Sequence, residues 1–305
     1  MSTKAQANRG FTLIEMLVAL PLGLLVLSSA MSFAVMTWRL IQADQLREEV
    51  YRNARFIGMS FERDLREAGV GIASTISFGT LATWSDTIVI MQVPEDALAY
   101  ELEPPAGVIN PLPPGGTCGP QCVTLRPQAG GVDLQPRDLA RLQVNDERRL
   151  IIIQSVTPSG AFYDVVFTNA PKILGFPAGL SGGLRLDRFS TFVQRIAPVV
   201  YYPDGDRLMR AELLYLNGTP DGSILAYGVQ SFEASLLFID GDEADEADPG
   251  DSDTTNDFDD LLGIRIQTTL AADYPHPKVN AGELFTRDYQ WRFVPRNLMY
   301  ERNRF

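Results

Sequence analysis

From Phe11 to Trp38 the chain reads FTLIEMLVALPLGLLVLSSAMSFAVMTW, hydrophobic all round, with Glu15 its one charged residue. As a helix this run reaches roughly 40 Å, enough for a bilayer core of ~30 Å. Pro21 and Gly23 interrupt it. A proline in a helix interior removes a backbone hydrogen bond and bends the axis, which a membrane helix tolerates. After Trp38 the pattern becomes one-sided. Leu46, Val50, Ala54, Ile57, Phe61, Leu65 and Ala68 recur at steps of three or four, with Arg, Glu and Asp elsewhere. That is an amphipathic stripe, and Gly69 and Gly71 are stop signals. The pattern predicts one helix from about Phe11 to Ala68, with 11–38 apolar all round and 39–70 holding a globular region on one face.

Beyond Gly71 the period shortens to two, with brief apolar runs between Gly and Pro clusters, the mark of strands. Strands are expected near 86–93, 122–126, 149–156, 161–168, 190–203, 208–216, 229–239 and 261–270, with a last one in LFTRDYQWRFVPRNL. The fold class is therefore α+β: a long N-terminal helix, then a β-rich, antiparallel head over 71–305.

Composition narrows the function. The chain has 305 residues, 45% of them hydrophobic, and a formal net charge of -12. Phosphate binding needs a basic surface, so a nucleic-acid partner is excluded. The short segment before the apolar run carries Lys4 and Arg9 and no acid, which puts that end in the cytoplasm and the head outside the inner membrane. A secretory signal has a shorter apolar core of about 7–15 residues.

Candidate chemistry is sparse. No G-x-S-x-G, P-loop or dinucleotide-binding pattern stands in a strand–helix context, so no catalytic residue and no cofactor is expected. The single histidine, His276, stands between two prolines and reads as an exposed turn residue. Cys118 and Cys122 lie in a Pro- and Gly-rich loop, 103–122; in an oxidising compartment a disulfide is the better reading and two free thiols the alternative. Segment 240–260 is dense in Asp and Glu. It reads as a solvated, self-repelling, mobile loop, with calcium binding as the alternative, although Asp240, Asp242 and Asp245 do not fit the EF-hand spacing. No metal ligand is assigned.

Glu15 asks for an explanation, because a carboxylate in hydrocarbon costs about 2.5–3.5 kcal/mol on insertion scales. A cut between Gly10 and Phe11 would free an α-amine on Phe11. Glu15 is four residues further on, on the same helix face and in the first turn, where negative charge suits the dipole. Amine and carboxylate could pair within one subunit or between staggered neighbours, so a Glu15 left unpaired in one molecule would be satisfied by a second.

The residues RGFTLIEML resemble the prepilin N-terminus of type IV pilins and type II secretion pseudopilins. An ordinary signal anchor that happens to hold a glutamate is the alternative. The resemblance implies that 1–10 is a leader removed after Gly10 by prepilin peptidase, that Phe11 is N-methylated, and that Glu15 is the assembly glutamate. It also implies that Pro21 marks either a simple kink or a region able to melt on assembly. FERDLREAGV after the stem and FTRDYQWRFVPRNL near the end are similar to PilW-type minor pilins; 72–220 resembles nothing identifiable. The implied function is a minor pilin in filament initiation or at the tip, anchored singly in the inner membrane and later on the cell-surface pilus. Its partners would be other minor and major pilins through the N-terminal helix. A J-type minor pseudopilin of type II secretion is the alternative, and a membrane-anchored periplasmic enzyme a second one.

Overall fold

A computed structural model describes residues 12–84, 86–103, 118–119, 121–144, 147–168, 172–177, 191–250 and 255–298. One helix, α1, runs over Leu13–Glu67 and passes through Pro21 without a break. The chain divides into two compact units: 1–51 with 272–285, and 52–271 with 286–305. Residues of α1 up to Tyr51 belong to the first and those from Arg52 to the second.

In the first unit the apolar part of α1 is exposed throughout, from Leu13 and Ile14 to Phe33 and Met36, whereas Ala43, Leu46 and Val50 are buried. Residues 272–285 form an irregular loop with a 3-10 turn, Asn280–Gly282. His276 and Val279 are buried in it. The expected exposure of His276 is thereby corrected: its Nδ1 accepts the Lys278 backbone N–H at 3.2 Å, folding the ring back onto its own turn.

The second unit is a set of antiparallel strands on the helix from Arg52 onward. In chain order they are β1 (Leu81–Trp84), β2 (Thr87–Gln92), β3 (Ala99–Glu101), β4 (Cys122–Leu125), β5 (Leu139–Val144) and β6 (Glu147–Ser159). There follow β7 (Phe162–Phe167), β8 (Lys172–Ile173), β9 (Phe176–Pro177), β10 (Phe192–Asp204) and β11 (Arg207–Leu214). The last are β12 (Pro220–Tyr227), β13 (Val229–Phe238), β14 (Glu243–Ala244), β15 (Leu261–Ala271) and β16 (Thr286–Phe293). The larger sheet has the order β1-β2-β10-β5-β6-β7-β4, with β3 and β11 also on β10 and β12 on β11; the smaller is β14-β13-β15-β16.

The long strand β10 is the hub, because different stretches of it pair with β2, β3, β5 and β11. Alternation then fills both faces of the sheet. Leu139, Leu150, Ile152 and Ile196 join one apolar cluster, and Ala140, Leu142, Ile151, Ile153 and Val193 join another. This explains the unbroken LIII run in β6: a strand covered on both faces has no polar side to alternate with.

Helix and sheets meet at Phe61, which is fully buried. Its ring centroid lies 4.5 Å from Tyr201 of β10, 6.1 Å from Phe232 of β13 and 6.2 Å from Trp291 of β16. The approach is close enough that a Cβ on Gly58 would sit 2.7 Å from the Trp291 indole Nε1, so only glycine fits that turn of the helix. The helix stops at Gly69, whose φ of +81° suits a residue without a side chain. The freed carbonyl of Ala68 is taken by the Asn297 side-chain amide at 3.0 Å. That bond gives Asn297 a structural task, sealing the end of the stem.

The two loops singled out in the sequence stand differently. Of the Pro- and Gly-rich segment 103–122, residues 104–117 and 120 lie outside the described residues. The acidic segment 240–260 is not wholly a solvated excursion. Glu243–Ala244 adds a short strand to β13, and Asp257 and Phe258 are buried. Phe258 stacks on Phe176 at 5.0 Å, so one aromatic inside the acidic run anchors it to the core.

Candidate functional site: the polar start of an exposed helix

Gly10 and Phe11 lie outside the described residues, which begin at Thr12. Thr12 is the N-cap of α1: its carbonyl accepts the Met16 N–H at 3.2 Å. Its hydroxyl oxygen accepts the Glu15 N–H at 3.4 Å. In return Glu15 Oε2 accepts the Thr12 N–H and the Thr12 hydroxyl, each at 2.9 Å. This reciprocal arrangement is a capping box, which satisfies helix-start donors that have no intrahelical acceptor. The carboxylate is held in its own turn, through Oε2 alone. The sequence signal was T-x-x-E ahead of an apolar run, residues 12–15.

The side chains after this cap have nothing to bury against among the described residues. Leu13 is 82% exposed and Phe33 73%. The two hydroxyls near the middle of the run turn inward: Ser28 and Ser29 both donate to the Leu25 carbonyl, at 3.0 and 2.8 Å. Each thereby spares a hydrocarbon surround an unpaired hydroxyl. Of the described helices, α1 is long and apolar enough to cross a membrane.

Comparison with known families adds to this geometry. Residues 6–31 match the Prokaryotic N-terminal methylation motif. This prepilin-type segment supports a type IV pilin-like protein. The matched stretch ends within the first turns of α1 and says nothing of the head. A search of the curated proteins found no match, and neither did a search of the solved structures. The fold beyond the prepilin-type segment rests on the structure: a long apolar N-terminal helix followed by an antiparallel β-rich domain, the α+β architecture of pilins.

At the other end of α1 lies a polar cluster that no sequence motif announced. Asp64 is buried. Its Oδ2 accepts the Tyr201 hydroxyl at 2.5 Å and Arg210 Nε at 2.7 Å, and its Oδ1 accepts Arg63 Nε at 2.9 Å. Arg210 also pairs with Glu212 at 2.5 Å. Burial alone would raise the Asp64 pKa; the bonds from Arg210, Arg63 and Tyr201 outweigh it and hold the carboxyl below its usual range. Burial, with the Asp64 charge added, pushes the Tyr201 phenol up. The cluster ties the helix to β10 and β11. The available signal was position: Asp64 stands three residues after Phe61, on the apolar stripe.

Cys118 and Cys122 are joined by a disulfide, their Cα atoms 5.2 Å apart, at the entry to β4. The Asp164 carboxylate is close to both sulfurs and accepts the Thr124 hydroxyl at 2.7 Å. Among the described residues this is the one group of Cys, His, Asp or Glu side chains that converges at metal-binding distance. Sulfurs bonded to each other offer no thiolate to a cation.

Proposed function

We propose that this protein is a minor pilin of a type IV pilus, most similar to the PilW type. It is cut by prepilin peptidase between Gly10 and Phe11, methylated on Phe11, and takes part in starting the filament or capping it. The reading is carried by one observation: a methylation motif over 6–31 leads into a helix whose apolar part is exposed on every side while its first turn keeps a carboxylate. Apolar side chains that one chain leaves uncovered suit lipid first and neighbouring helices later.

Glu15 supplies the register. Its Oε2 is engaged by Thr12, and among the described residues its Oε1 accepts nothing. Oε1 is free for the α-amine of Phe11 from its own or a neighbouring subunit, and that contact fixes the axial stagger. Before assembly the leader stays in the cytoplasm, the helix in the inner membrane and the head in the periplasm. The role is structural, without catalysis.

Mass spectrometry of protein from cells with active prepilin peptidase tests the processing step: the expected N-terminal peptide begins with N-methyl-Phe11. An intact Met1 or a cut near Ala30 would overturn it. Replacing Glu15 with Gln should abolish incorporation into filaments while the head remains folded; normal filament yield would refute the pairing. A J-type minor pseudopilin shares the same motif. Co-isolation from membranes separates the two, since secretion components recovered without pilus subunits would favour the pseudopilin.

A further inference from the structure

Several half-buried arginines in the head are paired with carboxylates. Arg210 has Asp64 and Glu212, Arg195 has Asp96, and Arg149 has Glu147. Arg141, on β5, is only 7% exposed, the most deeply buried of the described cations. It has no carboxylate partner among the described residues. Its one hydrogen bond runs from Nη2 to Gln194 Oε1 at 2.7 Å, across the β5–β10 pairing that sets the two residues opposite each other. Its guanidinium lies over the Phe192 ring, 5.2 Å from the centroid. Its Nε is buried without a partner.

The neighbourhood adds positive charge. Arg141 faces Leu150 on β6, and Arg148 is two residues along the same strand, so both arginines point to one face of the sheet. Burial, and to a lesser degree the Arg148 charge, pulls the Arg141 pKa down to about 10. A guanidinium has five donors, and here one of them is used. Buried charges in folded proteins are paired, because an unpaired one costs far more than a paired one.

We propose that Arg141, with Gln194 and Phe192 as its floor and Arg148 alongside, is a binding site for a small oxyanion of the phosphate or sulfate class. The planar fork of an arginine matches two oxygens of such an anion. The ligand supplies Arg141 with the counter-charge that no described carboxylate gives it, and locks β5 to β10 and β6 at the hub of the larger sheet. This site is independent of the N-terminal helix and of the pilin reading.

The test is thermal unfolding of the full-length protein in detergent, titrated with inorganic phosphate at ionic strength held constant with sodium chloride. The wild type should show a saturable rise in Tm of about 3 °C or more, the size expected for occupancy well above Kd. Arg141→Gln should lose the saturable rise. Gln194→Glu places a carboxylate where the guanidinium already bonds; it should raise Tm without phosphate and make the protein insensitive to it. A rise of equal size in Arg141→Gln is a general salt effect and overturns the site. So does a wild type that does not respond. If Arg141→Gln fails to fold, Gln194→Glu decides: an undiminished phosphate response refutes the proposal.

Discussion

The helix α1 carries two informative carboxylates, one near each end, and they are finished in different ways. Asp64 is buried, and both its oxygens are taken by groups from the helix and from two strands. Glu15 is exposed and bonded only to Thr12, with one oxygen left over. Asp64 therefore completes an interaction inside one chain, and its removal must be felt as lost stability. Glu15 belongs to a surface that one chain leaves incomplete, and its removal must be felt between chains.

The contrast is sharpened by mutation. Asp64→Asn removes the charge that two arginines and a tyrosine converge on; breaking a buried pair by loss of one partner costs about 3–5 kcal/mol. Chemical denaturation of the protein should show a lower midpoint, and a loss under ~1 kcal/mol would put the lock elsewhere. Acid offers the same test without mutation. Since the folded Asp64 pKa is depressed, its contribution is present above the unfolded value of about 3.9 and is lost as pH falls through the folded value. Asp64→Asn should flatten this acid limb of the stability profile.

Smaller effects follow. Gly58→Ala pushes a methyl into the Trp291 indole; overpacking costs about 1–3 kcal/mol, part of it offset by the ~1 kcal/mol that alanine gains over glycine in a helix. Trimming the indole with Trp291→Phe in the same chain should bring the two changes together at less than their sum. Asn297→Ala leaves the Ala68 carbonyl without its partner and should cost about 1 kcal/mol. Least of all, Glu15→Gln should leave the stability of the head unchanged, as surface changes do, while filament incorporation is lost. A head destabilised as much by Glu15→Gln as by Asp64→Asn would erase the distinction between the two carboxylates.

Much of the fold is legible in residue order, and the reasons are specific. Leu46, Val50, Ala54, Ile57, Phe61, Leu65 and Ala68 are all buried, because helical period alone sorts them onto one side. Strands rich in Val and Ile, such as β2, β6 and β15, are visible for a similar reason. Strand β5, LARLQV, is hidden because Ala, Leu, Arg and Gln favour helices and only pairing with β6 and β10 makes it a strand. Strand β12 opens with Pro-Asp-Gly, which reads as a turn, and it is tolerated there because β12 pairs only with β11. At the N-terminal site, Glu15 stands out by charge, but Thr12 passes for one more small residue until its hydroxyl is seen bonded. Asp64 is hidden in a charged run, and Tyr201 and Arg210, which define its role, are 137 and 146 positions away.

The Asn297 cap has a consequence for how such a chain comes to be folded. The amide that seals the stem is separated from it by 229 positions. Trp291, which shields Phe61, arrives almost as late. A chain made amino end first must keep the end of its stem uncapped until the final strand has emerged. Closure is then a single late event over a very long loop, which slows folding, and any truncation short of β16 leaves Phe61 open to water and to other chains.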